Sequence, residues 1–453
     1  MKLEDKKILV FGAGKSGISA AKLLQRVGAF VILYDGNEAI DIGAFEDKLG
    51  SCKNIEAYFG QFPMDKLEEI SLMILSPGIA IDNPFVEEVK DRGIPVWGEI
   101  ELAYRYSKGK IIGITGTNGK TTTTSLVGDI MRTYYKDVYV VGNIGSPYTD
   151  IALDTREDSV IVIELSSFQL ETIHEFKPDI SVILNITPDH LNRHHTMENY
   201  IQLKKSITKK QDKNNLCILN YEDKETKSIG MDLDIPLVYY SSEEMLDNGL
   251  YLDGDNIFYK SGENVEEVCN VNELHVLGKH SYENIMAGVA VGRHMGIPMD
   301  LIHQAITSFK AVEHRIEYVE TINGVCYYND SKGTNPDASI KAVQAMKSPT
   351  ILIAGGFDKG LEFDEWIKSF NDKVKCLVLM GATREKIADT ARKYGFNNIV
   401  IVNDLREAVR ISAQKAEDGD AVLLSPACAS WGMFDNYEQR GKRFKEYVRE
   451  LLK

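Results

Sequence analysis

Gly116, Gly119, Lys120 and Thr121 fall in the run Ile114-Thr-Gly-Thr-Asn-Gly-Lys-Thr. Two glycines, a lysine and a hydroxyl at this spacing suit a polyphosphate. The glycines let backbone N–H groups close on phosphate oxygens, the lysine offsets β/γ charge, and the threonine hydroxyl is a ligand for Mg²⁺. Thr117, Asn118 and Thr122 complete the loop and the start of the helix after it. Ile114 stands where the phosphate-loop pattern has its first glycine, and the rest of the pattern is present.

Other polar groups fall where this loop could use them. Glu164 ends one apolar run, and Thr187-Pro-Asp-His190 follows another. Ligands of parallel sheets bind at the carboxyl ends of strands. A carboxylate, an imidazole and a hydroxyl there suit Mg²⁺ held jointly by protein and nucleotide. Lys204, in contrast, has no signal in its spacing. Lys204-Lys205 reads as a solvated pair on a helix beginning near Thr196.

Gly12-Ala-Gly-Lys-Ser-Gly17 follows a strand and opens a helix, and Asp35 closes the next strand. This is the dinucleotide fingerprint, readable as NAD binding, as another nucleotide site, or as a turn that only packs a helix. Near the C-terminal third, His314-Arg315 offers an arginine for phosphate. The loops Asp330-Ser-Lys-Gly-Thr334, Gly355-Gly-Phe-Asp-Lys359-Gly and Ser425-Pro-Ala-Cys-Ala-Ser430 each follow a strand. Their cations and hydroxyls could hold a small acidic substrate. Cys428 has no adjacent base in sequence and reads as a packed thiol.

The elements that must position these groups are short apolar runs alternating with amphipathic stretches. Lys7–Phe11, Phe30–Tyr34, Leu72–Leu75, Lys110–Ile114, Ser159–Ile163, Ile180–Leu184, Thr350–Ala354, Val374–Leu379 and Ala421–Leu424 are nearly continuous in apolar residues. Such runs indicate parallel strands covered on both faces, and alternation with helices makes the class α/β. Residues 231–274 are polar with turns at Asp253-Gly254 and Ser261-Gly262, the pattern of a small β meander. Boundaries near 98 and 311 divide the chain into domains 1–98, 99–311 and 312–453.

The chain has 453 residues, a net charge of −15, 43% hydrophobic and 26% charged residues. That acidity excludes a general nucleic-acid binder, whose footprint is a basic stripe. No run approaches the ~20 apolar residues that span a bilayer. Six scattered cysteines without a C-x-x-C pair suggest neither a disulfide framework nor a zinc site, and fit a reducing cytoplasm.

Gly116-Thr-Asn-Gly-Lys-Thr, Glu164-Leu-Ser-Ser-Phe-Gln-Leu, Asn185-Ile-Thr-Pro-Asp-His190, His314-Arg315, Asp330-Ser-Lys-Gly-Thr-Asn-Pro and Ser425-Pro-Ala-Cys-Ala-Ser together resemble the Mur ligase family, in order along the whole chain, with Ser76-Pro77-Gly78 in the first domain. Within it, Ser-Ser-Phe-Gln-Leu and Asp-Ser-Lys-x-Thr-Asn resemble the D-glutamate-adding branch.

The resemblance implies a Rossmann-like N-terminal domain, a central P-loop-type domain and a Rossmann-like C-terminal domain. It implies ATP-dependent addition of D-glutamate to UDP-N-acetylmuramoyl-L-alanine through an acyl phosphate, by a cytoplasmic monomer. It implies Lys120, His190 and Lys204 as catalytic, with Thr121 and Glu164 on one Mg²⁺ and His190 and a carbamylated Lys204 on a second. Asn284, Arg315 and Asp330 join the loop as ATP contacts. Lys15, Ser16, Asp35 and Asn143 resemble UDP-sugar contacts, which turns the glycine fingerprint from NAD to UDP. Thr334, Lys359, Ser430, Trp431 and Tyr437 resemble the D-glutamate site, the two aromatics departing in side chain from common relatives. The competing readings are a sibling ligase for another amino acid, an NAD(P)-dependent oxidoreductase, and a catalytically silent nucleotide sensor.

Overall fold

The computed structural model describes residues 2–50, 55–310 and 313–452. Cys52, and Ala311 and Val312 at the expected second boundary, lie outside the described residues. The described residues build three sheets. By packing, residues Met1–Val268 and Asn284–Ala305 form one compact unit, and Cys269–Glu283 and Ile306–Lys453 form a second.

The first sheet contains Lys7–Phe11, Phe30–Asp35, Ile55–Phe59, Leu72–Leu75 and Val96–Gly98. Numbered along the chain, its order is 3-2-1-4-5, parallel throughout. This is a doubly wound, Rossmann-like order, with the switch-point crevice between its first and fourth strands. Gly17 has a packing reason to be glycine: a Cβ there would lie 1.8 Å from the Gly12 carbonyl oxygen.

The second sheet has nine strands. Its parallel centre is Val138–Gly142, Val160–Glu164, Lys110–Thr115, Ile180–Ile183 and Leu216–Asn220 in spatial order. Every residue of Val160–Glu164, Ile180–Ile183 and Leu216–Asn220 is buried, as continuous apolar runs require. The meander follows as Gly249–Asp253, Asn256–Ser261 and Asn264–Asn270, with the expected turns between them. One apolar core joins this sheet to the first: Ile8 and Leu24 belong to the same buried cluster as Leu102, Tyr148 and Ile161.

In the second unit the strand order is Glu317–Ile322, Val325–Asn329, Ala421–Leu424, Thr350–Ala354, Val374–Leu379 and Ile399–Ile401. All pairs are parallel except the first. Leu277 packs on the core of this unit, so the segment Cys269–Glu283 travels with it. Among the described residues no helix is long and apolar enough to cross a membrane.

Candidate active site

The strand Lys110–Thr115 delivers the phosphate loop, and the helix Lys120–Arg132 leaves it. Gly119 has φ +86°, and a Cβ there would sit 2.6 Å from Oδ1 of Asn284. Conformation and space both demand glycine. Asn284 comes from the helix Lys279–His294 and also accepts from the Thr123 hydroxyl at 3.2 Å. The loop is laced to the next strand end. Asn118 N donates to Asn185 Oδ1 at 2.8 Å, Asn185 Nδ2 returns to Asn118 O at 3.0 Å, and Thr117 N donates to Asn185 O at 2.8 Å. The first turn of the 13-residue helix therefore presents its backbone N–H groups in a fixed loop, the arrangement that receives phosphate.

Glu164 lies one strand over, paired with Ile114 on one side and Gly142 on the other. It is buried. Its Oε1 accepts from Asn143 Nδ2 at 2.9 Å, and its backbone oxygen accepts from Asn143 N at 2.9 Å. Its Oε2, like the Thr122 hydroxyl, is buried with no hydrogen-bond partner. An orphaned polar atom costs about 1–3 kcal/mol, so both atoms favour a ligand that answers them. Among the described residues no three His, Cys, Asp or Glu side chains gather for a metal. A divalent ion here fits only if phosphate oxygens and water complete its shell, which is how Mg²⁺ is held beside nucleotides.

Lys204 is buried, at 1% exposure, on the helix Met197–Lys205, whereas Lys205 pairs with Asp232 near the surface. The solvated-pair expectation therefore holds for Lys205 and is corrected for Lys204. Lys204 Nζ donates to Gly116 O at 2.8 Å and lies 4.7 Å from the ring centroid of Tyr200. Burial first, then the charge of Lys120, pushes its pKa well below the usual lysine range, while Asp189 opposes. A neutral amine is the form that can add carbon dioxide. Lys120 Nζ donates to Gly116 O and Thr117 O, both at 2.9 Å. His190 is half exposed, with φ +53° and its ring 4.9 Å from Phe168. Thr121 is half-buried in the first helical turn.

The glycine turn of the N-terminal domain is closed by Asp35, whose carboxylate accepts from Ala13 N at 2.8 Å and Asn37 N at 2.9 Å. Gly12, φ +113°, leaves no room for a Cβ beside the Ser76 hydroxyl, 2.6 Å away. Lys15 donates to the carbonyl of Gly145, two residues past Asn143, and Ser16 is half-buried in the same turn. Lys15, Ser16 and Asp35 thus stand together, and Lys15 ties that turn to the Asn143 loop.

In the second unit, Asp330 follows the strand Val325–Asn329. Burial pushes its carboxyl up to about 7, opposed by the Ser425 hydroxyl, 2.7 Å away, and by the charges of Arg315 and Arg440. Arg315 sits between His314 and Ile316, both at positive φ. Strain of that kind concentrates at functional sites. Lys359 Nζ lies 4.9 Å from the Trp431 ring centroid, and Tyr437 packs edge-on against His314. Ser430 is buried, and Thr334 N bonds Lys332 O at 2.9 Å. Arg440, fully buried, clamps two of these loops. It donates to Ser331 O at 2.8 Å and Cys428 O at 3.1 Å. Cys428 is buried against the Thr383 hydroxyl.

Sequence reasoning gave no role to Asn185 beyond its motif, and missed Tyr200, Arg193 and Arg440. Tyr200 carried the one available signal, an aromatic four residues before a lysine on a helix, where side chains meet. The Tyr200 hydroxyl lies 3.1 Å from that of Thr117, so one ring touches both the phosphate loop and Lys204.

The profile of the Mur ligase MurD-like N-terminal domain matches residues 6–98, that of the Mur ligase middle domain residues 114–292, and that of the Mur ligase glutamate ligase domain residues 314–428. The chain is 56% identical over 451 residues to the UDP-N-acetylmuramoylalanine–D-glutamate ligase of Lachnospira eligens, covering 100% of both chains. It is 45% identical to the protein of that name from Clostridioides difficile, again over 100% of both. Among solved structures, it superposes on UDP-N-acetylmuramate-alanine ligase MurC from Thermotoga maritima with TM-score 0.60 at 19% identity, covering 98% of this chain and 99% of that one. MurF ligase from Thermotoga maritima in complex with ADP gives 0.59 at 16% identity, covering 100% and 96%.

Proposed function

The chain belongs to the Mur ligase family, and from that premise we propose that it joins D-glutamate to UDP-N-acetylmuramoyl-L-alanine at the expense of ATP, a step of peptidoglycan precursor synthesis. The observation that carries this reading is full-length similarity to relatives of that name, combined with an ordered phosphate loop beside the orphaned oxygen of Glu164. The NAD reading of Gly12–Gly17 gives way to a UDP-sugar site, supported by the N-terminal profile over residues 6–98.

A carboxylate is a poor electrophile, so the reaction needs a leaving group. In this reading an oxygen of the alanyl carboxylate attacks the γ-phosphorus of ATP, and ADP departs. The D-glutamate amine then attacks the acyl carbon, loses a proton, and inorganic phosphate leaves from the tetrahedral intermediate. Gly116, Thr117, Asn118, Gly119, Lys120, Thr121 and Thr122 hold the triphosphate, and Lys120 offsets charge gathering on the moving phosphoryl group. Asn284, Arg315 and Asp330 contact the nucleotide. Thr121 and Glu164 suit one Mg²⁺, and His190 with a carbamylated Lys204 suits a second. Mg²⁺ bound there would neutralise phosphate charge. A carbamate on Lys204 replaces an amine donor with an anionic acceptor, and the depressed pKa of the lysine favours that adduct. Lys15, Ser16, Asp35 and Asn143 take the UDP-sugar. Thr334, Lys359, Ser430, Trp431 and Tyr437 take D-glutamate. The need for ATP puts the reaction in the cytoplasm, and we read the enzyme as a monomer.

The test is phosphate release from ATP with UDP-N-acetylmuramoyl-L-alanine and each candidate amino acid. Release that needs both the acid and D-glutamate supports the reading. Equal release with L-glutamate would replace it with that of a sibling ligase.

A further inference from the structure

Arg193 lies in the one-turn helix Leu191–His194, directly after His190. Its guanidinium reaches in three directions. Nη1 donates to Pro77 O at 2.9 Å and Nη2 to Ile79 O at 2.8 Å, both in the turn after the strand Leu72–Leu75 of the N-terminal domain. Nε and Nη2 meet Glu171 Oε1 and Oε2 at 3.1 and 2.6 Å, a two-pronged ion pair with side chains 13% and 5% exposed. The face of the guanidinium lies 4.3 Å from the ring centroid of Phe168, and that ring is 4.9 Å from His190.

The surrounding segment bears strain. His190 and His195 bracket the helix with φ +53° and +66°, a region that side chains other than glycine rarely adopt. Such backbone persists only when its surroundings over-determine it. Arg193, bonded to Pro77, Ile79 and Glu171, is one anchor of that segment. His195 adds a contact to Asp82 at 3.2 Å, so the same segment grips the N-terminal domain twice. Behind it, Glu171 Oε1 lies 3.3 Å from His194 Nδ1, and His194 Nε2 lies 2.9 Å from the Ser167 hydroxyl.

We propose that Arg193 is a positioning residue, fastening the Pro77–Ile79 turn of the N-terminal domain to the His190 end of the phosphate-loop domain and so setting the register of the acid substrate against the transferring phosphoryl group. Only a planar fork with several donors can hold two carbonyls and a carboxylate while stacking on a ring; a lysine cannot. The proposal rests on the ligase reading for its substrate, but its geometry stands apart from it.

The test uses Arg193→Lys and Arg193→Ala in the full chain, with Glu171→Gln as a milder release of the same grip. The expected result is a rise of about 10-fold or more in KM for UDP-N-acetylmuramoyl-L-alanine, with KM for D-glutamate nearly unchanged, since small misplacements cost this much. Added guanidinium should restore part of the loss in Arg193→Ala but not in Arg193→Lys. Amide hydrogen exchange should quicken at residues 76–82 in all three variants, a readout that needs no turnover. Unchanged exchange at that turn, or equal loss for both substrates, overturns the proposal. Failure of the wild-type chain to use these substrates would instead strike the ligase reading and leave the exchange result to decide the role of Arg193.

Discussion

Lys120 and Lys204 donate to one oxygen. Their Nζ atoms lie 2.9 and 2.8 Å from the carbonyl of Gly116. Burial first, and then repulsion from the Lys120 ammonium, inclines Lys204 to the neutral amine. In the proposed reaction the phosphate-loop lysine would add to burial in readying its neighbour for carbon dioxide. It would also attract the carbamate once formed.

Removing Lys120 should therefore damage two things. Lys120→Ala is expected to lose turnover by at least about 100-fold, the scale for deleting a donor aimed at developing charge. It should also weaken the carbamate resonance seen by NMR in ¹³C-bicarbonate. Lys204→Ala should lack that resonance, be inactive, and recover partly with a short carboxylic acid. A full-strength adduct in Lys120→Ala would refute the coupling.

Asn143 separates two roles. As a sugar contact it should affect only the UDP-substrate. Its amide, however, holds Glu164 Oε1 at 2.9 Å and leaves Oε2 free to face a ligand. Asn143→Ala should accordingly raise the Mg²⁺ concentration needed for half-maximal activity several-fold, about what one charge-assisted hydrogen bond supplies. A magnesium titration that overlays the wild type would assign Asn143 to the sugar alone.

His194 makes a prediction for stability. Burial, reinforced chiefly by the charge of Arg193, pushes its pKa from 6.5 down to about 4. Glu171, 3.3 Å away, faces it from the other side. Between pH 6.5 and 4 the unfolded chain binds the proton and the folded chain does not. Stability from this group is therefore present above 6.5 and falls as the pH drops toward 4. Asp330, raised to about 7, acts with opposite sign: its contribution is present below 3.8 and is lost as the pH rises through 7. Urea melts of His194→Gln across this range should show a flatter acid limb than wild type, while Asp330→Asn should show a steeper one. Parallel curves would contradict both assignments.

The α/β class and most strands were legible because a strand covered on both faces must be apolar throughout, as Val160–Ile163 and Ala421–Leu424 are. The phosphate loop was legible because its chemistry is local, with all its groups on one turn. Lys204 was not. A lysine buried without a carboxylate reverses the usual preference, and its neighbours Gly116 and Thr115 lie nearly ninety positions away. Arg193 and Arg440 escaped for the same reason: their partners include carbonyl oxygens, which every residue carries and no side-chain pattern marks. The role of Asn143 in holding Glu164 was hidden by a strand pairing that only the folded sheet provides.

The central claim is that the acid is activated by phosphorylation at the edge held by Gly119, Lys120 and Thr121. The most direct measurement follows ¹⁸O from the alanyl carboxylate of the UDP-substrate during turnover with ATP and D-glutamate. One ¹⁸O atom should appear in each inorganic phosphate released, with the other retained in the new amide. Phosphate free of label would mean that its oxygen came from water, and the acyl-phosphate account would be wrong.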